Sequence, residues 1–183
     1  ISGLIVLGGP MGVNDVYNLK YKWLVEEVNL IKECLEKNIP VIGVCLGAQL
    51  LAYAAGVTVE KLISSTTNEQ NAEVGWAPIF FSKQNAEEAI YNYVPSSLEV
   101  LHWHSDRIIL PPSAKLLAKS DRCDEQFFRI GSKSFGLQFH IEVEQYDIQV
   151  WINEDECFTK SALGDNASSL LLQQSTRYCN SSK

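Results

Sequence analysis

Apolar and polar residues follow two rhythms along the chain. Residues 3–7, GLIVL, form a short β-branched run that stops at Gly8-Gly9-Pro10. That predicts a buried strand feeding a loop, which Asn14 and Asp15 continue. From Lys20 to Lys37, Leu24, Val28, Ile31 and Leu35 recur at helical spacing, predicting a helix that stops near Asn38. Pro40 then opens a strand, PVIGV, and residues 46–55 predict a second helix with Gly56 as its stop. The order strand, helix, strand, helix implies parallel pairing through right-handed crossovers. Further strands are expected at 57–62, 77–81, 98–103, 115–118, 126–130 and 134–139, and a short helix at 85–92 after an Asn85 cap. Gly131-Ser132-Lys133 between FFRI and SFGLQF predicts a hairpin. After Glu144 the chain reads as helical, with Ile148, Val150 and Trp151 as its packing face, while the segment beyond Asp165 is weakly patterned and expected to fray.

Composition narrows the class. A chain of 183 residues, 46% hydrophobic and 20% charged, suits one globular domain over residues 1–183. Fifteen basic against 22 acidic residues give a formal charge of -7, with no basic groove for nucleic acid. No run is long enough to cross a bilayer, and the first residues do not read as a charged-then-apolar leader. Five scattered cysteines without a CxxC pair argue against a disulfide framework and for a reducing, cytoplasmic setting. The sequons at Asn166 and Asn180 are read as chance in that setting. The chain starts with isoleucine inside an apolar run, so a missing N-terminal part is expected.

One junction concentrates the chemistry. GVCLG at 43–47 has the form G-x-S-x-G with cysteine as nucleophile. A sharp strand-to-helix turn needs neighbours without side chains, lifts the sulfur off the sheet, and places it at the positive end of a helix. The plainer reading is a buried cysteine in a strand–helix contact. A thiolate also needs a proton shuttle and a group to orient it. Among His102, His104 and His140, the last ends an apolar run and precedes Ile141-Glu142. In extended backbone, spacing of two puts His140 and Glu142 on one side, so the carboxylate can hold one ring nitrogen and leave the other for Cys45. Glu144 is the alternative orienting group; a strand-end histidine beside a solvated glutamate is the plain alternative.

GVCLGAQLLA, GLQFHIEVE, GGPMGV, EVGWAPI at 73–79 and HWHSD at 102–106 together resemble a class I glutamine amidotransferase, in the family's order and over most of the chain. The resemblance is nearest to stand-alone members related to the glutaminase half of GMP synthase. It implies an α/β, flavodoxin-like three-layer sandwich with a mainly parallel central sheet, here lacking the family's first strand and helix. It further implies that Cys45 attacks the side-chain amide of L-glutamine, with His140 as proton shuttle and Glu142 holding the ring. The oxyanion would be met by the backbone N–H groups of Gly9 and Leu46. Gln49 and the segment Trp103, His104 and Ser105 would hold the amino-acid end of the substrate. Many members have proline where Ile141 stands, which puts the His140–Glu142 geometry in question.

Three alternatives accompany that reading: a γ-glutamyl peptide hydrolase with the same triad, a catalytically silent binding domain, and a metal site of His102, His104 and Asp106 on alternate strand positions. The resemblance accounts for that last segment without metal, and no metal or cofactor is expected. Trp76 and Trp103 are read as packing residues. With no GxxxxGK[ST] signature in the sequence, productive use of ammonia would call for a separate synthetase subunit.

Overall fold

The computed structural model describes residues 1–64, 66–82 and 89–179. The first apolar run gives β1 (Leu4–Val6), and PVIGV gives β2 (Val41–Val44), with α1 (Trp23–Glu36) crossing between them. Leu24, Val28, Ile31 and Cys34 form the buried stripe of α1, so Cys34 takes the innermost place expected for Leu35. The helix starts later than Lys20 because residues 19–21 form a 3-10 turn, and Val13–Tyr17 form another where a loop was expected. Asn38, at φ 52°, ends it in the left-handed region. α2 (Leu46–Ala54) follows β2 directly and stops before Gly56, at φ 88°.

Beyond this point hairpins replace crossovers. The remaining strands are β3 (Val59–Lys61), β4 (Glu73–Phe81), β5 (Ser97–His104), β6 (Asp106–Ile108), β7 (Lys115–Lys119), β8 (Phe127–Ile130) and β9 (Ser134–Leu137). The main sheet runs β1-β2-β9-β8-β7-β4-β5, with β3 and β6 forming a small antiparallel pair aside. Only the β1–β2 and β2–β9 joints are parallel; the joints from β9 to β5 are antiparallel. The α/β, flavodoxin-like class holds, but the expected mainly parallel sheet is corrected to a parallel end joined to an antiparallel one. The cause is chain length between strands: β7, β8 and β9 are linked by connections too short for a parallel return.

Of the helix expected at 85–92, residues 85–88, including Asn85, lie outside the described residues; Ala89–Asn92 form a 3-10 turn. The chain after Glu144 forms α3 (Gln145–Glu154), α4 (Glu156–Leu163) and α5 (Ala167–Tyr178). The fraying expected after Asp165 is therefore overturned as far as residue 179: α5 buries Ala167, Leu171 and Ser175, four residues apart. Asn180 and the rest of the terminal NSSK lie outside the described residues.

The core is divided by the sheet. Phe128 packs with α1 and α2, whereas its neighbour Phe127 joins Ile79, Leu117 and Phe139 on the opposite face. A third cluster, Leu101, Trp103, Ile148, Ile152 and Leu171, seats α3 and α5 against β5. At the parallel end, Ile5, Ile42 and Phe135 stand in register across three strands. That row is open, with Ile5 66% and Ile42 41% exposed. No helix among the described residues is long and apolar enough to cross a membrane.

Candidate active site

The C-terminal ends of β2 and β9 lie side by side, and each delivers one reactive side chain. At the end of β2, Cys45 has φ 51° and ψ -110°, a conformation that costs a non-glycine residue about 1–3 kcal/mol. The turn is held because the Cys45 N–H donates to the Leu137 carbonyl at 2.7 Å, while its own carbonyl accepts the Gln49 N–H at 3.1 Å and starts α2. The flanking glycines are required by contact. A Cβ at Gly47 would lie 2.0 Å from the Val6 carbonyl oxygen, and one at Gly43 would lie 2.4 Å from the Gly47 oxygen.

His140 follows β9, its N–H donating to the Leu101 carbonyl at 2.8 Å. Its Nδ1 lies 2.7 Å from Glu142 Oε1, so the hydrogen sits on Nδ1 and Nε2 is left for another partner. The other carboxylate oxygen accepts the Ile141 N–H at 2.9 Å. Proline could not make that bond, so Ile141 is tied into the pair it was expected to loosen. Burial alone would push the His140 pKa down, but hydrogen bonds to Cys45 and Glu142 outweigh it and raise it from 6.5 to about 9. Glu142 is desolvated too, yet its bond to His140 holds its carboxyl below the usual range. Gly8 lies between the partners, where a Cβ would come 3.2 Å from His140 Cε1 and 3.3 Å from Cys45 Cβ. Trp151 closes the far side, its ring 4.9 Å from the imidazole in an edge arrangement. Glu144 does not orient the ring; it caps α3, exchanging hydrogen bonds with Asp147.

Two cavities meet at the sulfur. The smaller, about 270 Å³, is lined by Leu46, Gln49 and Lys61 and by the segment Trp103, His104 and Ser105. Leu46 opens α2, so its N–H is one of the helix's donors without an intrahelical partner. The larger, about 580 Å³, is lined by His140 and Glu142 and by Asp147, Trp151 and Glu154 of α3. Cys45, Gly9, Trp103 and Asp155 are walls of both. Gln49 is buried, donating to Gln138 Oε1 at 3.2 Å, and Gln138 Nε2 in turn lies 3.8 Å from the sulfur. The sequence reading passed over Gln138, although it sits two residues before His140 on the same run. Trp103 is more than packing: its indole donates to Asp155 Oδ2 at 2.9 Å, and its carbonyl lies 3.9 Å from Cys45 Sγ. Trp76, by contrast, packs on Tyr178.

The His104 imidazole is buried, and both its nitrogens are engaged in a polar cluster. Its Nδ1 lies 2.9 Å from the Asp106 carbonyl, and its Nε2 lies 3.1 Å from Glu73 Oε2. The trio of His102, His104 and Asp106 does not assemble, because the Asp106 carboxylate pairs with Lys61 at 2.7 Å. Glu73 takes its place, and the donor atoms of Glu73, His102 and His104 lie within 4.8 Å of one another. Gln126 Nε2 already occupies that group, 3.3 Å from His104 Nε2 and donating to Glu73 Oε2 at 2.5 Å. A metal ion would have to displace this amide, so the cluster reads better as a hydrogen-bonded core. Burial first, opposed by the Glu73 charge, lowers the His102 pKa from 6.5 to about 4.

A strained elbow cysteine facing a carboxylate-held histidine on an α/β sheet has the geometry of a thiol-nucleophile site. A sequence model described as glutamine amidotransferase class-I matches residues 1–154, and the chain belongs to that family. It is 30% identical over 145 residues to one subunit of a glutamine-hydrolysing GMP synthase from Picrophilus torridus, covering 78% of this chain and 68% of that protein. It is 28% identical over 147 residues to gamma-glutamyl peptidase 3 of Arabidopsis thaliana, covering 77% and 54%. A crystal structure of a glutamine amidotransferase from Thermotoga maritima superposes with a TM-score of 0.80 at 33% identity, covering 98% of this chain and 72% of that one. The chain spans about half the length, or less, of several curated relatives that it matches.

Proposed function

We propose that this protein hydrolyses the side-chain amide of L-glutamine to glutamate and ammonia through a cysteine thioester. The observation that carries the reading is the strained Cys45 set against the His140–Glu142 pair at the meeting point of two cavities. The thiolate attacks the amide carbon, and the oxyanion is met by the N–H groups of Leu46 and Gly9. His140 passes its Nε2 proton to the leaving nitrogen as the carbon–nitrogen bond breaks. Water, deprotonated by the same nitrogen, then attacks the thioester and releases glutamate and the thiolate. Gln49, with Gln138 behind it, and the backbone of residues 103–105 border the smaller cavity, which suits the amino-acid end.

Glutamate release by the wild type and by Cys45→Ala tests this. A loss of about a thousandfold or more is expected, and equal rates would remove Cys45 from the chemistry. A second reading, hydrolysis of γ-glutamyl peptides, is favoured by the size of the larger cavity. Ammonia needs little more room than a water molecule, about 30 Å³, whereas the space on the His140 side is about 580 Å³. Assaying glutamine beside γ-glutamyl peptides separates the two, since a strict glutaminase leaves the peptides intact. The Picrophilus relative is named as part of a GMP synthase of more than one chain. Under the first reading that supports partnership with a separate, ammonia-accepting synthetase subunit.

A further inference from the structure

We propose that the larger cavity is a leaving-group subsite for cationic amines, so that the preferred substrates are γ-glutamyl amides whose amine half carries a second, positive nitrogen. The inference rests on the second reading above, in which the same triad cleaves larger γ-glutamyl amides as well as glutamine, and assigns the two cavities to the two halves of the substrate.

The assignment follows from where the proton goes. Leu46 and Gln49 line only the smaller cavity, whereas His140 lines only the larger. The general acid must face the nitrogen that departs, so the amine half lies on the His140 side. Leu46, one of the two oxyanion donors, and Gln49 place the glutamyl half on the other. Lys61 and Asp106, paired with each other at 2.7 Å, both line the glutamyl side and bring both signs of charge to the end that carries the α-carboxylate and α-ammonium.

The amine side is charged differently. Glu142, Asp147, Glu154 and Asp155 line it, and no lysine or arginine among the described residues does. Glu142 is committed to His140, and Asp155 accepts the Trp103 indole N–H. Asp147 accepts the Glu144 N–H in the cap of α3, which leaves Glu154, exposed on the same helix, without a described cationic partner. Trp103 and Trp151, with ring centroids 5.4 Å apart, give the same cavity an aromatic wall. An alkyl chain along the indoles would carry a distal ammonium to the acidic end, where carboxylates and aromatic faces both attract a cation.

The test compares three γ-glutamyl amides of similar length, made from 1,4-diaminobutane, n-pentylamine and 4-aminobutanoate, with glutamine alongside. The expected order of kcat/KM is cationic, neutral, anionic, with about tenfold between neighbours and a spread that narrows as salt is added. Glu154→Gln should shrink the cationic-to-neutral ratio severalfold. If neutral or anionic amides match the cationic one while glutamine is still hydrolysed, the subsite inference is overturned and the amide-hydrolase reading stands. An unchanged ratio in Glu154→Gln overturns the placement of the cation at α3. If neither glutamine nor any of the three amides is cleaved, the underlying reading fails and takes this one with it.

Discussion

Replacing Glu142 by glutamine removes a charge and leaves most of the shape. In the native site the carboxylate lies 2.7 Å from His140 Nδ1, its side chain 31% exposed. The His140 pKa stands at about 9 against an ordinary 6.5. That rise is worth on the order of 3 kcal/mol in favour of the imidazolium, achieved against burial by Cys45 and Glu142 together. The amide retains an oxygen for Nδ1–H but no charge, so the pKa should fall from about 9 toward its ordinary value. The sign is definite. A raised histidine pKa stabilises the fold fully below about 6.5, and that contribution is lost as pH rises through about 9. The wild-type rate should fall on the alkaline side near the same point, as the general acid loses its proton. In Glu142→Gln that limb should move toward neutrality, and kcat/KM at its optimum should drop by about a hundredfold or more. Steady-state glutamate release across the pH range, with thermal unfolding at each end, measures both effects. An alkaline limb that stays in place with an unimpaired rate would refute the role assigned to the carboxylate.

Two other perturbations probe the scaffold. Gly47→Ala drives a methyl to 2.0 Å from the Val6 carbonyl oxygen; since that neighbour is backbone, a loss of about 1–3 kcal/mol or more is expected, seen as a lower melting point. His102, held neutral by burial with a pKa of about 4, stabilises the fold above about 6.5, and this is lost as pH falls through about 4. The loss is on the order of 3 kcal/mol at most, and Glu73, whose carboxyl is held below its ordinary value by its bond to His104 despite burial, adds to it in the same direction. Urea unfolding near pH 7 and near pH 4 should show it, and equal midpoints would count against the account.

The parts of the site visible in the sequence are those whose geometry is local. Cys45 announces itself because a glycine-flanked turn between a strand and a helix has few conformational solutions. His140 and Glu142 share a side through spacing alone. Glu73 is different: it reaches His104 through pairing between β4 and β5, where the two residues are register partners, and no local pattern foretells that. α5 went unseen because two of its three buried positions are Ala167 and Ser175, which leave almost no apolar stripe. In the antiparallel half of the sheet, the β8–β9 hairpin is legible at Gly131, whereas the β4–β7 joint pairs segments far apart in the chain, which no local pattern foretells. The larger cavity beyond the sulfur is not legible, because part of its lining comes from α3, whose apolar pattern says nothing of its acidic face.

That helix has one consequence for how such a protein changes over time. The smaller cavity draws most of its lining from residues 9–12, 45–49, 61 and 103–106, with Asp155 and Phe158, whereas nearly half of the larger one's comes from 142–155. Under the assignment proposed above, changes at Asp147 and Glu154 alone would alter what the larger cavity accepts, while Cys45, His140 and Glu142 stay as they are.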